Sequence, residues 1–129
     1  MSSHASKPTD AELEILQVLW QKGSCTVREV NEQIRQSKPD VGYTTTLKLM
    51  QIMTEKELVR RDTTHRQHIY EAIIEETLVQ EGMVRNIIDR FFQGSAKDLI
   101  MHALGQEATS HEELSEIKRL INKIEKEQK

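Results

Sequence analysis

Apolar residues recur along this chain at a helical period, switch to a strand-like pattern near its middle, and then return to the helical period. Leu13, Leu16 and Trp20, flanked by Ile15 and Leu19, predict a first helix with a wide apolar stripe. Thr9-Asp10-Ala11-Glu12 has capping-box spacing, in which two exposed backbone donors are satisfied reciprocally, so the helix should open after Thr9. Gly23, free to take a left-handed cap conformation, should end it, with a short strand through Ser24-Cys25-Thr26. Thr26-Val27-Arg28-Glu29 repeats the capping box and predicts a second helix with Val27, Val30 and Ile34 on one face. Pro39 lacks a donor and biases Lys38 away from helix, so the chain should break there.

A third helix is predicted from near Tyr43 to Lys56. Leu47, Met50 and Met53 should turn inward with Leu49 and Ile52, leaving Thr44, Thr45, Lys48 and Gln51 in solvent. Two strands follow, Leu58 to Asp62 and His68 to Ala72, joined by the polar turn Thr63-Thr64-His65-Arg66-Gln67. A helix feeding a two-stranded ribbon with a cation at its tip is the second half of a winged helix-turn-helix. Such a helix enters the major groove while the ribbon tip meets the neighbouring backbone.

After the second strand the pattern is helical throughout. Glu75 to Phe92 carries Leu78, Val79, Met83, Ile87, Ile88 and Phe91. Gly94-Ser95 breaks the chain, and Ser95 should cap a helix over Ala96 to Leu104 that Gly105 ends. Ser110-His111-Glu112-Glu113 is a third capping box, before Leu114, Ile117, Leu120, Ile121 and Ile124. So few residues rarely close a core of their own, and a two-fold partner is the commonest way to cover such stripes. The expectation is therefore a mainly α fold with a small β-wing. Residues 1–74 should form a winged-helix DNA-binding domain and 75–129 a helical dimerisation domain.

Charge changes this picture in one respect. The chain is acidic overall, at −3, which alone argues against nucleic acid. Yet residues 1–70 hold ten basic against nine acidic side chains, while 71–129 hold eight against twelve. The positive charge is local to the proposed contact surface. No apolar run approaches the roughly 20 residues that span a membrane, and the polar N-terminus has no signal core, so a cytoplasmic protein without membrane insertion is expected. The lone Cys25 fits a reducing compartment and reads as a small half-buried residue rather than an oxidation sensor.

Candidate chemistry lies on the third helix and the wing. Thr44, Thr45 and Lys48 are short polar donors plus a cation, suited to base edges and phosphates, whereas each alone would read as a solvated helix face. Arg60 and Arg61 alternate along a strand, so one should be a plain edge charge. His65 and His68 lack a cysteine or carboxylate partner and read as surface wing residues, not ligands. Trp20, Met50 and Met53 read as core. With no Gly-rich phosphate loop, nucleophile elbow or ligand cluster, an enzyme is not expected, nor is a cofactor or metal. The competing class is a winged-helix interaction module without specific DNA binding, acting through its acidic helical half.

These residues together resemble the penicillinase-repressor and methicillin-resistance-repressor family, which includes copper-responsive relatives. The likeness runs through Thr9 to Leu16 with Leu19-Trp20, Thr26 to Val30, Tyr43-Thr44-Thr45 with Leu47, and Lys56 with Leu58-Val59. Arg66 to Tyr70 resembles its basic wing, and Gly94-Ser95 the start of its C-terminal region. The resemblance implies a homodimeric repressor on a palindromic DNA operator, commonly paired with a membrane sensor peptidase. By position it implies that Tyr43, Thr44, Thr45 and Lys48 face DNA, with Arg66 at the wing. The chain departs from the family where Glu57 stands for a usual Gly and Ile52 for a frequent Arg. It also lacks the Asn-Phe cleavage dipeptide of proteolysed members, whose region aligns with Met101, His102 and Ala103, and the paired C-terminal cysteines of the copper-responsive ones.

Overall fold

A computed structural model describes residues 7–106 and 109–128. The polar N-terminus falls largely outside them. The chain divides into two compact units, one running to Glu81 and the other starting at Gly82.

In the first unit the elements are α1 (Asp10–Lys22), β1 (Cys25–Thr26), α2 (Val27–Arg35), α3 (Tyr43–Glu55), β2 (Val59–Asp62) and β3 (Ile69–Ala72). Both expected capping boxes form: Thr9 and Glu12 exchange bonds of 3.2 and 2.9 Å, Thr26 and Glu29 of 3.2 and 2.8 Å. Gly23 ends α1 at φ 84°, ψ −156°, a backbone region open to glycine alone rather than the expected left-handed helical one. The three strands form an antiparallel sheet in the order β1-β3-β2. Tyr70 pairs with both Cys25 and Arg61 at its centre and is fully buried.

Ile15, Leu16, Val30, Met50, Met53 and Leu58 are wholly excluded from solvent and join Val18, Leu19, Val27, Ile34, Val59 and Tyr70 in one core. Cys25 belongs to that core at 4% exposure, so it is buried rather than half-buried. Burial pushes its thiol pKa up, with the Glu29 carboxylate adding to the effect, which leaves it a poor nucleophile. Trp20 is only half-buried; its indole N–H donates to the Ile74 carbonyl at 3.1 Å and ties α1 to the end of the sheet. Ile52 corrects the sequence reading: at 39% exposure it stands on the outer side of α3, while Leu47 and Leu49 pack partly inward.

The turn from α3 into β2 is made without glycine. Glu57 takes φ 65°, its N–H donates to the Thr54 carbonyl at 3.1 Å, and the Leu58 N–H reaches back to Met53 at 2.9 Å. This is a Schellman closure in which a residue with a Cβ occupies the left-handed position. Buried Leu58 supplies the apolar contact that holds it there.

α4 (Glu76–Phe91) begins in the first unit and ends in the second, which also holds α5 (Ala96–Gln106) and α6 (His111–Glu127). Ser95 caps α5 through the Asp98 N–H at 3.1 Å, and the Ser110–Glu113 box opens α6. Gly105 does not stop α5, which runs through it to Gln106. Neither α5 nor α6 buries a single side chain among the described residues. No helix among the described residues is long and apolar enough to cross a membrane.

Candidate nucleic-acid interface

α2 packs on α1 and α3, and α3 carries most of its polar residues, though not Thr46, away from that contact. Thr46, Met50 and Met53 face the core, so the helical period throws Thr44, Thr45, Lys48 and Gln51 outward, and all four are exposed. Gly42 puts no side chain over the first turn of α3, and no carboxylate lies in that turn. An uncapped helix start with exposed hydroxyls is a suitable seat for a phosphate. Lys48 makes no ion pair among the described residues.

The wing is shaped by its own side chains. Asp62 accepts from the Thr64 N–H at 2.9 Å and from its hydroxyl at 2.7 Å, which bends the chain out of β2. These two hydrogen bonds hold the Asp62 carboxyl below its ordinary pKa. The bend leads to Arg66, which comes back beside α3. Arg66, Gln67 and His68 from the wing, Tyr43 and Leu47 from α3, and Thr26 to Arg28 at the start of α2 line one groove of about 270 Å³.

Tyr43 and Arg66, distant in sequence, thus share one wall-and-floor arrangement. The geometry adds Arg28 and His68 to it, residues that no helical or strand period singles out. Arg28 occupies an unconstrained position inside the Thr26–Glu29 capping box that opens α2, and its exposure there is the only signal for it. Arg60 lies elsewhere. It pairs with Glu71 across β2–β3 and lines a separate open groove with Thr54, Glu57 and Ile73. Its charge is already matched, and Arg61, exposed beside it, is unpaired among the described residues.

Met101, His102 and Ala103 sit on α5, and all three are exposed. His102 is held by its Nδ1 contact to the Asp98 carbonyl at 3.0 Å and by a tilted ring contact with Phe92, 5.4 Å between centroids. Among the described residues no group of three or more metal-ligating side chains comes together.

Three helices, a short first strand and a hairpin returning beside the third helix define a winged helix-turn-helix protein. The profile of the family described as "Penicillinase repressor" matches residues 8–123, and the chain belongs to that family. It is a family of transcriptional repressors rather than enzymes. The chain is 22% identical to the methicillin resistance regulatory protein MecI of Staphylococcus aureus, over 95% of this chain and 99% of that one. It is 22% identical to the penicillinase repressor of Staphylococcus aureus, over 90% and 91% of the two chains. With the penicillinase repressor of Bacillus licheniformis it shares 25% over 88% of each.

Proposed function

We propose that this protein is a cytoplasmic, homodimeric transcriptional repressor that holds a palindromic DNA operator. In this reading residues 1–74 are the DNA-binding domain and 75–129 the dimerisation domain. The observation that carries it is the outer face of α3, where exposed Thr44, Thr45 and unpaired Lys48 adjoin a groove shared by Tyr43, Arg28 and the wing's Arg66. Short donors on a helix reach base edges, and the flanking cations take phosphates on either side. Arg60, on the separate groove, adds a flanking phosphate contact made by releasing Glu71. Dimerisation is supported by Phe91, Met101, Leu120 and Ile121, apolar residues of the second unit that are each about half exposed or more.

Release in this reading follows cleavage by a membrane sensor peptidase within α5, around Met101, His102 and Ala103. A helix that buries no side chain unwinds locally at small cost, as a peptidase requires. Intact masses of protein recovered from induced cells check this: fragments ending between Leu99 and Leu104 are expected, and full-length protein that has left its operator excludes it.

The function itself is tested by selecting duplexes from a random DNA pool with the purified protein. An enriched sequence with inverted symmetry is expected, bound with an affinity that falls steeply as salt rises, because phosphate contacts release counterions. Absence of any enriched sequence would falsify the reading and leave a protein-interaction module in its place.

A further inference from the structure

Two polar side chains are sealed inside the first unit where α2 meets α3. Asn31 is 6% exposed and Thr46 is completely buried. The Asn31 amide donates to the Thr46 hydroxyl oxygen at 2.8 Å and to the Val41 carbonyl at 3.1 Å. One side chain of α2 thereby holds both the turn and the first part of α3. The residues around it, Val30, Ile34 and Met50, are apolar. Apolar contact is non-directional and tolerates a helix that rolls or slides. A hydrogen bond between buried groups does not, because misplacing either partner leaves a polar atom without water or mate.

Thr46 lies two residues from Thr44 and two from Lys48 along α3. At about 100° per residue, both project from the side of the helix roughly opposite Thr46. Whatever fixes Thr46 therefore fixes the direction in which the outer face points.

We infer that Asn31 and Thr46 are positioning residues for DNA reading: their bond sets the roll of α3, and with it which base edges Thr44, Thr45 and Lys48 meet. This rests on the DNA-binding function proposed above and adds to it a source of selectivity that never touches DNA. A bond that merely stabilised the fold would change the melting temperature and leave sequence preference alone.

The test uses full-length wild type, Thr46→Val, Thr46→Ser and the double variant Asn31→Leu/Thr46→Val. The probes are the duplex that wild type enriches from a random pool and an unrelated duplex of equal length, each titrated at several salt concentrations alongside thermal melts. Thr46→Val removes the acceptor at nearly constant volume. It is expected to lower the ratio of selected to unrelated affinity about tenfold or more, the size of a lost base contact. Affinity for the unrelated duplex and the salt slope should hold, since phosphate contacts are untouched. Thr46→Ser should restore the ratio. The double variant removes both buried polar side chains and leaves only the part-buried Val41 carbonyl without its donor, so it should recover most of the melting temperature without recovering the ratio. Should Thr46→Val fail to fold, the double variant against Thr46→Ser decides the same point. An unchanged ratio in the Val variants, or a ratio that recovers together with melting temperature, overturns the positioning role alone. A wild type that enriches no sequence overturns the DNA reading, and this role with it.

Discussion

The first unit and the C-terminal helices carry the same kind of apolar stripe, yet they end differently. In the first unit Ile15, Leu16, Val30, Met50, Met53 and Leu58 lose all contact with water. In the second, α5 and α6 bury nothing among the described residues, and Met101 and Leu120 remain 63% and 56% exposed. The difference lies in what each stripe meets inside one chain. Three helices crossing over a small sheet enclose a volume, whereas α5 and α6 leave their stripes uncovered. An apolar period reports that a helix face will be covered, and the covering surface has to be found in the fold.

The sharpest way to break this comparison is to charge the uncovered face. In the proposed dimer, Leu120→Glu with Ile124→Glu should separate the two copies and lower affinity for the proposed operator by about two orders of magnitude, because two linked heads gain from effective concentration. The melting of the first unit should not move. Sedimentation together with operator titration checks both halves, and a dimer that survives the charges contradicts the assignment of 75–129 to pairing.

Next in size is the charge pair that closes the first unit. Lys56 at the end of α3 meets Glu12 of α1 at 2.7 Å, with the Glu12 side chain only 3% exposed. Burial pushes the Glu12 pKa up, but hydrogen bonds from Lys56 and Thr9 and the Lys56 charge outweigh it and leave it below 4.5. A carboxyl depressed in the folded state adds stability above its unfolded pKa and loses it as pH falls through the folded one. Lys56→Met should therefore cost about 2 kcal/mol at neutral pH by removing the cation from a buried carboxylate that keeps only its Thr9 bond. The gap to wild type should narrow below about pH 4.5 as Glu12 takes a proton. Urea melts across pH measure it, and a constant gap denies Glu12 the role.

Lys48→Ala should leave the fold intact and either reduce the salt slope by about one or relax one operator position at a cost of about 1–3 kcal/mol. Arg66→Ala should weaken operator binding with less loss of sequence preference than substitutions at Thr44 or Thr45, since a wing tip positions more than it specifies. Wild-type affinity and salt slope in either variant would remove that residue from the interface.

The smallest expected effect acts on the first unit alone. Glu57 stands at φ 65°, where a Cβ is strained, so Glu57→Gly should stabilise by about 0.5–1 kcal/mol without altering DNA affinity. A lower melting temperature would mean that Glu57 makes a compensating contact in the native state.

Much of this molecule follows from local chemistry. The boxes at Thr9, Thr26 and Ser110, the break at Pro39 and the polar wing turn each satisfy or free backbone groups within a few residues, so neighbours in sequence were enough to read them. The outward set Thr44, Thr45 and Lys48 was legible for the same reason, being the polar side of one helical period. Other features depend on residues far apart. Asn31 with Thr46, Glu12 with Lys56 and Trp20 with the Ile74 carbonyl join positions 15, 44 and 54 residues apart. The period of α3 put Thr44 and Thr45 outward but gave Thr46 no partner, and it left Ile52 beside inward Met53 until a neighbouring helix chose the buried side. Where most helices start, where the wing turns and which side of α3 is polar are legible along the chain, because those are short-range hydrogen-bond and amphipathic effects. Which polar groups are sealed in the core, which cations share a groove and which apolar stripes stay open follow only from the folded packing, because burial belongs to the surfaces that meet.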